Sequence, residues 1–391
     1  MDMTRRQLAC AGIAVAAACT ARRQESAPKG EGRSEQDAAP RHVIDLHCDT
    51  PMLFRGGDYD LGTRNNRGEV DIPRMREGEI TAAFFSVYTS ATRNTELEAL
   101  RDALEIIDTV GREVDRFPEE VALARSTRDI EAARSKGLIA ILLGVEGGHM
   151  IAGSLAVLRS LYRLGARYLT LTHSRDTAWA GSSGSEGNRG LSEFGRSVVA
   201  EMNRLGMMVD ISHVSDQTFW DTLAASTAPV IASHSSARAI APHKRNLSDE
   251  MIRALAESGG VVHINYYNVF LDGDYARRSQ QWNAANPSGP GFTGPARTRA
   301  KLAAIGRPPL DKLLDHFDHA VEVAGIEAVG LGSDFDGVDG ELPEGMEDIS
   351  MVPNIADGLA RRSYSERDID KILGQNTLRV MADIESRGSL A

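Results

Sequence analysis

What most constrains this chain is where its apolar runs stop. From residue 42 onward, eight strand-length apolar runs alternate with helical patterns, and six of the eight end on ionisable residues. The runs are 42–49, 80–88, 138–146, 166–173, 207–213, 229–234, 259–266 and 328–334. Several are nearly continuous Val, Ile, Leu and Ala, the signature of strands covered on both faces. Helical periodicity fills 95–117, 153–164, 192–205 and 309–323, with Gly165 and Gly206 as stop signals. Eight strands, each followed by a crossover, predict an α/β fold, a (β/α)8 barrel. An open doubly wound sheet would carry a Gly-rich phosphate turn after its first strand; His47-Cys48-Asp49-Thr50-Pro51 is not one. Residues 272–298, rich in Gly, Pro, Asn and Ser, read as an insertion after the seventh strand, suited to a lid or a subunit contact.

The N-terminus reads differently. Arg5-Arg6 precedes a short Ala-rich apolar stretch, so residues 1–19 read as a twin-arginine-like export signal. Ala16-Ala17-Ala18-Cys19 resembles a bacterial lipoprotein processing box, departing from it at Ala16. Cys19 would then carry lipid; ordinary cleavage nearby would instead release a free periplasmic protein. Residues 20–41 are polar and aperiodic, a flexible tether. A single folded domain is expected over 42–386, with 387–391 as a tail. The formal net charge of −11 argues against a nucleic-acid partner. Of three cysteines only Cys48 lies in the expected domain, which excludes an internal disulfide there.

The chemistry sits at the strand ends. His47 and Asp49 stand two apart on the first strand, and the two-residue period puts both on one face. Cys48 between them points into the barrel wall as a small hydrophobe. Glu146 ends the third run, His173 the fourth, His213 the fifth, His234 the sixth and Asp334 the eighth. Barrel active sites form at these ends. A lone strand-end histidine is usually structural, but four together with three carboxylates would be costly to bury unpaired. Metal ligation removes that cost. Imidazole with carboxylate and no thiolate suits Zn²⁺, and less specifically Mn²⁺, Co²⁺ or Fe²⁺. His149, close after Glu146, is a candidate to orient it; His263 reads as a core residue, and His316 and His319 as solvated or capping. Tyr266 and Tyr267 are candidate pocket residues.

With these residues in place, the sequence resembles the membrane (renal) dipeptidase family, peptidase family M19, of the amidohydrolase superfamily. The resemblance runs through His47-Cys48-Asp49, Val145-Glu146-Gly147-Gly148-His149, Leu169-Thr170-Leu171-Thr172-His173 and Asp210-Ile211-Ser212-His213-Val214-Ser215. It continues through Ser233-His234-Ser235-Ser236, Arg245-Asn246, Gly332-Ser333-Asp334-Phe335-Asp336-Gly337 and a C-terminal helix at 374–380. It implies a dipeptidase with two Zn²⁺ per chain. His47 and Asp49 would ligate one ion, His213 and His234 the other, and Glu146 would bridge them. His173 and Arg245 would bind substrate, Arg245 through its terminal carboxylate, and Asp334 would be the acid/base. A hydroxide shared by the metals would attack the peptide bond. The resemblance further implies tolerance of a C-terminal D-residue and a homodimer.

Asp336 is the rival acid/base. Without the resemblance, Arg245 reads as an ordinary surface arginine. Two other functions stay open at this point: another amidohydrolase activity, on lactams, lactones or acylamino acids, and a non-catalytic lipid-tethered peptide-binding protein.

Overall fold

A computed structural model of the protein describes residues 41–92, 95–289 and 293–389. The expectations for the export signal, for Cys19 and for nearly all of the tether fall outside these residues. Among the described residues nine strands occur in chain order: β1 (Ile44–Cys48), β2 (Ala82–Tyr88), β3 (Val121–Leu123), β4 (Ile139–Glu146), β5 (Ala166–Thr170), β6 (Met208–Asp210), β7 (Val230–Ala232), β8 (Val261–Ile264) and β9 (Val329–Leu331). β1 pairs with both β2 and β9, and β2 pairs with β4, so eight strands close a barrel in which every pairing is parallel. This is the expected (β/α)8 architecture, and each of the eight expected runs contributes one strand. β3 is an addition: among the described residues it pairs only with the start of β4, at Ile139–Ile141.

Apolar side chains fill the interior as they do in a packed barrel. Leu46, Phe84, Leu142, Tyr168, Met208 and Ile231, from six different strands, form one buried cluster. Cys48 belongs instead to the larger cluster under the helices, as expected. The register of β1 slips, however. Asp45 pairs with Ala83 and Cys48 with Phe85, so three steps on β1 meet two on β2. This bulge interrupts strict alternation and re-aims the end of the strand that carries His47 and Asp49.

The helices start where capping chemistry places them. Thr95 and Glu98 form a capping box at Glu96–Arg116, and the Ser192 hydroxyl accepts from the Gly195 N–H at the start of Glu193–Leu205. The insertion is more regular than its Gly/Pro/Asn content predicts, since Gly273–Ala285 and Gly294–Ile305 are both helical. Asp272 caps the first of these, and the Ala, Arg and Gln that follow are good helix formers, whereas the turn residues lie between the helices.

His316 corrects an expectation. It is fully buried rather than solvated. Its Nδ1 accepts the Ala237 N–H at 3.0 Å, and its Nε2 lies 3.0 Å from the Leu271 carbonyl, so it ties the turn that leads into the insertion to the loop after β7. His319 does pair at the surface, with Asp249 at 2.7 Å. Burial pushes His316 down from 6.5 to about 4. The unfolded chain therefore binds more protons between these values, and stability falls as pH drops through them. Between pH 7 and pH 5 the loss is roughly 2 kcal/mol. A non-titrating His316→Gln variant is expected to lose about that much less over the same interval in urea unfolding. Equal losses would contradict this account.

Candidate active site

The barrel brings all seven strand-end residues to one point. Glu146, the last residue of β4, is at the centre. Its Oε1 lies 3.0 Å from His213 Nε2, 3.3 Å from His234 Nε2, 3.6 Å from His47 Nε2 and 3.8 Å from His173 Nε2. His47 Nε2 is 3.4 Å from Asp49 Oδ2, and the Nε2 atoms of His213 and His234 are 2.9 Å apart. Ligand atoms converge in three groups: His47 with Asp49 and Glu146; Glu146 with His213 and His234; and His47 with His234 and Asp334. The first two are the sets expected from the sequence. The third, which was not expected, places Asp334 against both of them.

These residues fit a metal. His47 Nε2 and Asp49 Oδ1 are buried with no hydrogen-bond partner among the described residues, although both are strong polar groups. Burial raises Glu146 well above the usual carboxylate range and lifts Asp334 to about 6. Burial, reinforced by Arg245, drives His213 well below 6.5, and His234 falls likewise, so both are neutral and able to ligate. His47 goes the other way. Burial alone would lower it, but Glu146 and Asp49 lift it to about 10. The field at this point therefore calls for positive charge.

Neighbouring side chains fix how the ligands face. Asp210 accepts from Thr170 Oγ1 at 2.5 Å, Ser233 Oγ at 2.6 Å, Ser233 N at 2.8 Å and Ser212 N at 3.0 Å. Ser233 has one proton and gives it to Asp210. Its oxygen, 2.7 Å from His234 Nδ1, must then accept from that nitrogen. His234 is thereby held as the Nδ1–H tautomer, with its Nε2 lone pair facing Glu146. On the other side, His47 Nδ1 lies 2.7 Å from the Tyr168 hydroxyl. Tyr168 reaches it only because residue 144 is glycine, where a Cβ would stand 1.8 Å from the tyrosine ring. Gly337 has a similar role: a Cβ there would lie 2.2 Å from Asp49 Oδ2 and 2.4 Å from Asp334 Oδ1. His213 and Asp334 both take left-handed backbone, at φ 68°, a conformation that costs a residue with a Cβ free energy.

Other candidates sort by their contacts. Arg245 is buried rather than at the surface, 6% exposed, with Nη1 on Ser235 Oγ and Nη2 on the His234 carbonyl, both at 2.8 Å. Its Nε is buried with no partner among the described residues, and burial lowers its pKa to about 10. Asp334 Oδ2 accepts from Asn265 Nδ2 at 2.8 Å. Asp336 is taken up structurally, since its oxygens accept from Thr50 Oγ1 and Glu69 N, both at 2.7 Å. The Nε2 of His149 faces Thr89 Oγ1 at 3.0 Å and the Thr89 carbonyl at 3.1 Å, not Glu146. His263 is a buried core residue lying between the Ala232 carbonyl and Thr377. Tyr266 packs edge-on against Phe335.

A cavity of about 400 Å³ opens over the cluster. Asp49, Glu146, His173, His213 and Asp334 line its floor, and Tyr267 lines its wall as expected. Asn283, Arg297, Thr298 and Lys301 of the insertion also line it, so the insertion is part of the site. Sequence reasoning missed Lys301, Glu341 and Phe270. None carries a pattern of its own: Lys301 comes from the second insertion helix, Phe270 from the turn before the insertion and Glu341 from the loop after β9.

The chain matches the family description "Membrane dipeptidase (Peptidase family M19)" over residues 37–389. It is 36% identical over 367 residues to an uncharacterised dipeptidase of Schizosaccharomyces pombe, covering 88% of this chain and 80% of that protein. Among solved structures, dipeptidase AC, a metallopeptidase of family M19, superposes with a TM-score of 0.75 at 26% identity, covering 88% of this chain and 98% of the other. The probable dipeptidase PvdM of Pseudomonas aeruginosa shares the fold, with a TM-score of 0.77 at 24% identity over 89% of this chain and 96% of the other.

Proposed function

Because this chain belongs to peptidase family M19, the membrane dipeptidases, we propose that it hydrolyses dipeptides with two zinc ions, including dipeptides with a D-residue at the C-terminus. His47 and Asp49 would hold one ion, His213 and His234 the other, and Glu146 would bridge them. One observation carries this reading: a single buried oxygen, Glu146 Oε1, lies within 3.8 Å of four histidine Nε2 atoms.

Bound there, the metal pair supplies a Lewis acid for the substrate carbonyl and lowers the pKa of a water. The chain's own residues do the rest. Asp334 takes the proton from that water and passes it to the leaving amine, while Asn265 holds its other oxygen. Burial keeps His173 near 4, hence neutral, so it donates a hydrogen bond to the developing oxyanion. Arg245 remains charged at neutral pH and grips the free carboxylate, which restricts substrates to short peptides with an exposed C-terminus. Export to the periplasm, with Cys19 as a lipid anchor, is part of the proposal on the sequence pattern alone, as is the homodimer on family resemblance.

The test is a panel of L,L and L,D dipeptides, with their C-terminal amides, assayed on metal-stripped protein with and without added Zn²⁺. We expect hydrolysis of both stereochemical series only with metal, and a loss of at least about tenfold in kcat/KM for the amides. Hydrolysis that survives chelation would overturn the proposal.

A further inference from the structure

The wall of the cavity away from the metal-ligand cluster is built around one buried ion pair. Lys301 Nζ, on the second insertion helix, lies 2.5 Å from Glu341 Oε2, and the two side chains are only 5% and 4% exposed. Both residues line the cavity. The first insertion helix joins the same carboxylate, Tyr275 donating to Oε1 at 2.9 Å and Ser279 at 3.3 Å. Ser279 Oγ also accepts from Lys301 at 3.2 Å. Glu341 thus fastens both insertion helices to the loop that follows the catalytic Asp334.

A buried pair of this kind is seldom needed for stability, because apolar residues of similar size often serve as well. Its position facing the substrate space suggests another use. Arg297 and Asp339 line the same cavity, so outside the metal-ligand cluster its wall holds two cations and two carboxylates in balance. Where Lys301 and Glu341 form it, a substrate side chain that brings a charge to this wall meets counter-charges already taken up by each other and loses its water.

We infer that the Lys301–Glu341 pair is a specificity determinant: it presents a charge-compensated wall to one substrate side chain and selects dipeptides uncharged at that position. This rests on the dipeptidase reading above and names the substrate class within it. Neither residue touches the reacting atoms. Removing one partner leaves the other as an uncompensated charge facing the substrate, so each removal inverts the selection in a known direction.

The experiment uses zinc-loaded parent, Glu341→Gln, Lys301→Met and the double variant on dipeptides carrying an acidic, neutral or basic side chain at either position. The parent is expected to favour neutral side chains over both charged classes by about tenfold in kcat/KM. Glu341→Gln should raise the acidic-to-neutral ratio about tenfold, and Lys301→Met should raise the basic-to-neutral ratio about tenfold. The double variant should return to the parent's ranking. A lid anchor with no selective role would move both ratios together or neither, and either outcome overturns the inference. If Glu341→Gln fails to fold, Lys301→Met and the double variant carry the test, because neither leaves a buried unpaired lysine. A zinc-loaded parent that cleaves no dipeptide would instead overturn the function on which this rests.

Discussion

Glu146→Ala is expected to lower kcat by at least about a thousandfold on any dipeptide that the parent cleaves. Glu146 is the residue shared by both expected ligand sets, and its Oε1 faces His47, His213 and His234, so its removal opens both at once. A Lewis acid is worth several kcal/mol to a developing negative charge, and each ~1.4 kcal/mol is tenfold in rate. The same variant should bind less than the full complement of metal and lose most of the thermal stabilisation that added Zn²⁺ gives the parent. The metal-free variant should unfold no earlier than the metal-free parent, since burial penalises the Glu146 carboxylate in the folded state. That comparison separates loss of the site from loss of the fold. Turnover within tenfold of the parent, with normal metal content, would remove Glu146 from the centre of the mechanism.

Asp334→Asn is expected to lower kcat by about a hundred- to ten-thousandfold while leaving KM close to the parent's, the pattern of a lost proton transfer. Asn keeps the size of the side chain and the contact with Asn265 but cannot carry the proton. Metal content is the informative second readout, because the ligand atoms of Asp334, His47 and His234 also converge. Two ions retained with turnover lost assigns Asp334 to proton transfer, whereas a lost ion makes it a ligand. The pH profile of the parent bears on the same residue. In the proposed role Asp334 must be unprotonated to accept a proton, so kcat/KM is expected to fall as pH drops. Burial raises its pKa to about 6, and cations beside it act only downward, so the acid limb lies no higher than about 6.

Much of this was legible in the sequence because two physical signals are strong. Strands covered on both faces must be apolar along their length, which marked all eight barrel strands. Ionisable residues ending such strands cannot stay buried without partners, which marked the seven residues that converge. What stayed hidden depends on contacts rather than on pattern. Val121–Leu123 is too short to show a period. The bulge between Asp45 and Cys48 is a feature of pairing, and the left-handed conformations of His213 and Asp334 break the usual preference of those residue types. Lys301 and Glu341 are forty residues apart, and each read alone is a surface charge. His316 reads as solvated in a helix until Leu271 and the loop after β7 close on its ring. Arg245 shows the complement: only the family motif singled it out, and burial beside His234 shows why it differs from a surface arginine.

The central claim is that two metal ions, held through Glu146, make this barrel a dipeptidase. Titrating Zn²⁺ into metal-stripped protein while following hydrolysis of one L,D dipeptide tests it most directly. The account predicts no turnover without metal and a rise that saturates at two equivalents per chain. Full turnover without metal, or saturation at one equivalent, would contradict it.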